Sequence, residues 1–241
     1  MKRIVSSELR KRGTLLPIVA VFCFLLCSIS FPAEAQTILW NEDWEDGNWT
    51  DWSVTAGTWE VGVPSSGPMS AHGGTQCAGT ILSGNYAATV DSRLVSPSFV
   101  VPTADQHPAL RFWHWWNIGG GDNGKVQIKP VSGTTWTDLT MAYNYTSGGN
   151  WSYPLVDLSK YAGQEVQIAF YFVSFPTGES SGWYIDDIAL VTGPRVFNNP
   201  ETWEGGLGSW SPERGIWEVG IPTSGPMSAH GGTQCAGTIL S

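Results

Sequence analysis

The chain has 241 residues, 14 of them Trp and 29 Gly, and only 14% are charged, against about 25% in an average soluble protein. So dense an aromatic load excludes a disordered linker, which is poor in aromatics. Lys and Arg number 12 against 21 Asp and Glu, a formal net charge of −9; an acidic chain repels phosphate backbones, so nucleic acid is not an expected partner. Residues 1–35 read as a secretory signal peptide. Lys2, Arg3, Arg10, Lys11 and Arg12 form a basic head, Leu15 to Phe31 an apolar run, and Ala33-Glu34-Ala35 a cleavage signal. Cleavage after Ala35 removes five basic and two acidic residues, leaving 7 against 19 and a charge of −12. No later apolar run is long enough to span a bilayer, so the mature product is expected to be soluble, exported, and secreted or held at the cell surface.

The next stretch, 37–192, alternates with period two, which predicts short antiparallel strands. In Ala109 to Ile118 one face carries Leu110, Phe112, His114 and Trp116, and the other Arg111, Trp113, Trp115 and Asn117. Val126 and Ile128 oppose Lys125, Gln127 and Lys129, and Val166, Ile168, Phe170 and Phe172 line one face of a later strand. Gly-rich clusters such as 119–124 and 147–150 separate the runs. Many short strands at this spacing predict an all-β fold, a two-sheet antiparallel jelly-roll sandwich.

The chain then repeats itself. Trp59 to Ser83 and Trp217 to Ser241 differ only at Val63/Ile221 and Ser65/Thr223. A long fixed offset marks a tandem array of domains. The expected boundaries are a complete unit at 37–192, a linker at 193–196, and at 197–241 the truncated N-terminal part of a second copy. Its Trp203, Trp210 and Trp217 are expected to lack cover, so this tail should be poorly ordered or pair with an exposed edge of the first unit. Cys77 and Cys235 occupy equivalent places, one per copy. The tightly packed Cys-Ala-Gly-Thr-Ile context favours a small buried thiol over an intermolecular bridge.

Several of these stretches resemble bacterial MAM-like, or cleaved-adhesin-like, extracellular domains. They are the opening Trp44-Glu45-Asp46-Gly47 with Trp52, Gly67-Pro68 to Tyr86, Ser92 to Pro97, Leu110 to Trp115, Asp122 to Ile128 with Trp136, Val156 to Gly163, and the closing Gly182 to Ile188. The resemblance covers residues 40–192 and departs from the family pattern at Trp44, where Phe is usual. It implies a concanavalin A-like jelly roll serving as a non-catalytic module of exported proteases, adhesins and surface proteins.

Three constellations are candidates for chemistry. Asp186-Asp187 interrupts an apolar strand, where alternation lets only one carboxylate face inward. If the first and last strands lie side by side, Glu45 and perhaps Asp43 come near Asp187, with Asp186 in reserve. Such hard oxygen donors suit a structural calcium ion, which related modules are associated with; the alternative is carboxylates satisfied by backbone N–H groups and water. Arg111, Trp113 and Trp115 form a stripe which, if it faces outward, offers aromatic surface and a cation to a protein or glycan ligand; the alternative is that both faces of the strand are covered. Gly178-Glu179-Ser180-Ser181-Gly182 matches a hydrolase nucleophile pattern, but a strand follows where that chemistry needs a helix. No catalytic residue is therefore expected. The functional expectation is an adhesion or recognition module; the alternatives are an accessory domain of a secreted peptidase or other hydrolase, or a carbohydrate-binding module.

Overall fold

The computed structural model describes residues 36–47, 49–195, 197–212 and 217–241; the signal-peptide reading lies outside them. In chain order the strands are β1 (Thr37–Glu42), β2 (Ser53–Thr55), β3 (Glu60–Gly62), β4 (Cys77–Gly79), β5 (Asp91–Val95), β6 (Phe99–Val100), β7 (Ala109–Ile118), β8 (Asn123–Pro130), β9 (Thr137–Asp138), β10 (Tyr145–Thr146), β11 (Leu155–Asp157), β12 (Glu165–Val173) and β13 (Gly182–Thr192). Helix among the described residues is limited to two 3-10 turns, Ala104–Gln106 and Ser159–Tyr161, and none is long and apolar enough to cross a membrane.

Two antiparallel sheets form a sandwich. One runs β10-β7-β13-β4-β3, with β1 also on β13 and β11 also on β7; the other runs β2-β5-β12-β8-β9, with β6 also on β12. Period-two alternation decides which side chains meet between them. Leu110, Phe112, His114 and Trp116 point inward from β7, and Val166, Ile168, Phe170 and Phe172 from β12, all almost wholly buried. Trp183 sits at the centre, 5.7 Å from Phe170, 5.9 Å from Trp59 and 5.5 Å from Tyr143 between ring centroids. An aromatic side chain that loses 150–250 Å² of exposure contributes about 4–6 kcal/mol, so the inward Trp residues are the main apolar force closing the sandwich. The His114 ring is inside this core. Its Nδ1 accepts the Trp183 indole N–H at 3.2 Å, and burial pushes its pKa down to about 3.

The first and last strands are neighbours, as the sequence suggested: Glu42 lies opposite Ile188 and Thr37 opposite Thr192. Cys77 is a free, fully buried thiol on β4, while Cys235 is free and half-buried. Among the described residues of the segment 197–241, strand pairing is internal and not with a sandwich edge. Two short strands, β14 (Glu218–Gly220) and β15 (Cys235–Gly237), make a sheet of their own. This segment reproduces the local bonds of the first copy. Trp52 donates to Glu42 and Trp210 to Glu201; Thr75 and Gln76 donate to Glu45, and Thr233 and Gln234 to Glu204. What differs is cover: Trp52 and Trp59 are 5% exposed, Trp210 and Trp217 43% and 53%.

Candidate functional site

Two arrangements collect the residues singled out in the sequence, and both lie on the outer side of the β7–β13 sheet. The first is a clasp around the loop 72–76. Glu45 follows the tight turn at Trp44 (φ 62°) at the end of β1. Its Oε1 accepts the backbone N–H of Thr75 at 2.8 Å and of Gln76 at 2.6 Å, and its Oε2 the Thr75 hydroxyl at 2.9 Å. These bonds, Gln76 first, hold its pKa below the usual range. Asp186 takes the other end of the loop. Its Oδ2 accepts the N–H of His72 at 2.8 Å and of Gly73 at 3.1 Å, and its Oδ1 that of Asp187 at 2.8 Å. Asp186 is completely buried, and this burial raises its pKa to about 7.

Asp187 does not obey strand alternation. The register of β13 against β7 shifts between Asp186 and Ala189, and Asp187 adopts φ 45°. That bulge turns its side chain to the same loop as Asp186, where Oδ2 meets His72 Nδ1 at 2.6 Å. Strict alternation would send the two side chains to opposite faces; the bulge adds a residue and re-aims Asp187 to the loop that Asp186 holds, while only Asp186 is buried. Asp43 is exposed and caps the turn by accepting the Glu45 N–H at 3.2 Å. Glycine is needed at two places beneath the carboxylates. A Cβ on Gly73 would lie 2.9 Å from Asp187 Oδ2, and one on Gly74 (φ 55°) would collide with the Glu45 carboxylate.

Calcium requires six to eight oxygen ligands converging at 2.3–2.6 Å. Here Glu45 and Asp186 face N–H and O–H donors, the positive ends of dipoles, which already neutralise them. The His72 ring occupies one oxygen of Asp187. Among the described residues no group of three or more His, Cys, Asp and Glu gathers in a metal-holding geometry. In this arrangement the donor set does not fit a calcium ion; the clasp ties β1, β13 and the loop 72–76 together by hydrogen bonds.

The second arrangement is an upright ladder of rings. Trp113 on β7 stacks on His72 at 3.8 Å and 12° on one face and on Tyr153 at 4.7 Å and 16° on the other. The Arg111 guanidinium continues the stack, 4.6 Å from the centre of the Tyr153 ring. The outward stripe of β7 is therefore covered, not open. Arg111 is 1% exposed, Trp115 packs against Tyr184 at 5.6 Å and is 6% exposed, and Trp113 shows solvent an edge. Sequence alternation located this face, but the covering residues, His72 and Tyr153, come from distant loops. They and Trp151 carry no periodic signal.

Above the ladder lies a cleft of about 480 Å³. Its first-copy side is His72, Trp113, Asn150, Trp151 and Tyr153; its other side is residues 206–208 and 217–219 of the repeated segment. Arg111 Nη2 donates to the Gly208 carbonyl at 3.0 Å across that boundary. The hydrolase-like pentapeptide is structural: the Ser180 carbonyl accepts the Tyr86 N–H, and Gly182 begins β13. Asp122 is likewise a tie, accepting from the Tyr86 hydroxyl at 2.7 Å and the Phe175 N–H at 2.8 Å.

No protein-family model matches the chain. Bacillopeptidase F of Bacillus subtilis (strain 168) is 37% identical over 145 residues, which are 60% of this chain and 10% of that protein. The chain thus spans about a tenth of the length of this curated relative. Among solved structures, TmCBM61 in complex with beta-1,4-galactotriose is 18% identical, over 61% of this chain and 92% of that one, with a TM-score of 0.44. The K3 cleaved adhesin domain of Lys-gingipain from Porphyromonas gingivalis W83 is 16% identical, over 64% of this chain and 98% of that one, with a TM-score of 0.43.

Proposed function

We propose that residues 37–192 are a non-catalytic recognition module of the MAM-like or cleaved-adhesin-like kind, exported and repeated within a longer protein, that binds a glycan or protein ligand in the cleft its β7 face forms with residues 206–208 and 217–219. The observation that carries this reading is the cleft: aromatic edges with a few polar groups, Asn150 and His72, at its walls, the composition that suits a ligand site. The titratable groups around it are committed to structure. Asp186 and Glu45 hold backbone N–H groups and Asp187 holds His72. His114 is sealed in the core, so no nucleophile and base face each other here. A specific observation favours one context for the module, that of an accessory domain: the 37% identity to a segment of a bacillopeptidase.

The reading is tested by screening the mature chain, residues 36–241, on a glycan array alongside Trp151→Ala. Binding to a defined subset of glycans that falls at least about tenfold in the variant supports it, the loss of one stacked aromatic contact being worth about 1–3 kcal/mol. No binding to any glycan, with peptide hydrolysis by the chain itself, overturns it.

A further inference from the structure

Arg111 is a buried cation, and among the described residues no carboxylate pairs with it. A guanidinium has five N–H donors; here Nη2 reaches the neutral carbonyl of Gly208, the Tyr153 hydroxyl also engages the group, and Nε and Nη1 have no partner. Among the described residues its electrostatic neighbours are Tyr153 and a second cation, Arg195. Each buried donor left unpaired costs about 1–3 kcal/mol, and a charge more. Such an arrangement does not persist for stability, because an apolar residue of similar volume would fill the place at lower cost. The two groups that cover the guanidinium, Tyr153 and Gly208, both line the cleft.

A planar fork of N–H donors matches a carboxylate, which accepts two parallel bonds and supplies the missing charge. The cover is slight. The 206–208 turn contains two glycines, and neither would meet a neighbour within 4 Å if given a Cβ, so the turn touches the ladder through its backbone. The rest of the cleft is the indole edge of Trp113, the Trp151 ring, the Asn150 amide and the His72 imidazole. That wall offers aromatic C–H surface and polar partners for the hydroxyls of a sugar ring. Glu218, the acidic residue among the lining, is engaged with the Leu240 N–H at 2.8 Å.

We infer that the cleft takes a carboxylate-bearing saccharide, with Arg111 as its anion-recognising residue and the Gly208 carbonyl holding the carboxylate's place in its absence. This rests on the recognition-module reading above and names the ligand class for the same site. Arg111 then lowers the stability of the fold while conferring specificity on it, and the two effects separate on mutation.

The test is calorimetric titration of the mature chain with a galacturonic acid trisaccharide and, in parallel, with the neutral galactose trisaccharide. Wild type is expected to bind the acidic sugar at least tenfold more tightly. Arg111→Gln should lose this preference while melting at the same or a higher temperature than wild type, an outcome that a misfolded variant cannot give. Arg111→Lys, which keeps the charge but not the fork, should retain only part of the preference. Equal affinity for both sugars in wild type, or an unchanged preference in Arg111→Gln, overturns the inference and leaves the recognition module standing. Tighter binding of a triglutamate peptide than of the acidic sugar also overturns it. Failure to bind any saccharide, acidic or neutral, overturns the inference together with the glycan half of the underlying reading, and leaves its protein-ligand half standing.

Discussion

Two buried groups titrate against each other, and the stability of the sandwich between pH 4 and 6.5 should show it. Burial raises Asp186 from 3.8 to about 7. The folded state then holds a proton that the unfolded state has released, so stability falls as pH rises through this window. At 1.36 kcal/mol per pH unit the full effect is about 4 kcal/mol. Burial lowers His114 from 6.5 to about 3. Here the unfolded state binds the proton first, so stability rises with pH across the same window, by about 5 kcal/mol in full. The opposing slopes nearly cancel in the wild type. Asp186→Asn removes one of them: its stability should climb by about 3 kcal/mol from pH 3.8 to 6.5 relative to wild type, whatever constant cost the substitution adds. His114→Asn, which keeps an acceptor near the Trp183 indole, should show the reverse slope. Urea unfolding followed by Trp fluorescence at four or five pH values measures both. If the Asp186→Asn and wild-type curves run parallel, the three N–H bonds to Asp186 outweigh its burial, and the assignment of a raised pKa is wrong.

Other outcomes follow from the same contacts. Calcium added to chelator-treated protein should leave the melting temperature unchanged, because N–H donors already satisfy the clasp. An ion held between Glu45 and Asp187 at a hundredfold excess over its dissociation constant would instead contribute about 2.7 kcal/mol, a rise of several degrees that Glu45→Gln would abolish. Trp183→Ala should destabilise the sandwich by about 3–5 kcal/mol, read by denaturant unfolding, since it empties the centre of the core. Gly74→Ala should lower the melting temperature more than Gly120→Ala, whose Cβ would meet nothing within 4 Å. Equal effects would show that the clasp yields without cost.

The sequence carried the sandwich further than the site. Strands β7, β8 and β12 were legible because each buries one alternating face, and that pattern is written in consecutive residues. The pairing of β1 with β13 followed from the jelly-roll reading, in which first and last strands are commonly neighbours, and not from any residue pattern of its own. The aim of Asp187 was not legible, because a bulge leaves no mark in the alternation it interrupts. The covering of Arg111 and Trp113 was beyond reach for a different reason. It depends on Tyr153, His72 and Gly208, which are brought together only when strands remote in the chain have paired.

The duplicate clasp at Glu204 bears on how such a chain folds during synthesis. Glu45 and Gln76 are 31 residues apart and Glu204 and Gln234 are 30 apart, and both pairs bond alike, although only the first lies next to a closing strand equivalent to β13. The opening part of the module therefore organises itself from local contacts, which form early and fast. The β1–β13 pairing, about 150 residues apart in sequence, must wait for the rest of the chain. During this interval the opening segment leaves its Trp rings open to solvent, as Trp210 and Trp217 are in the repeated segment.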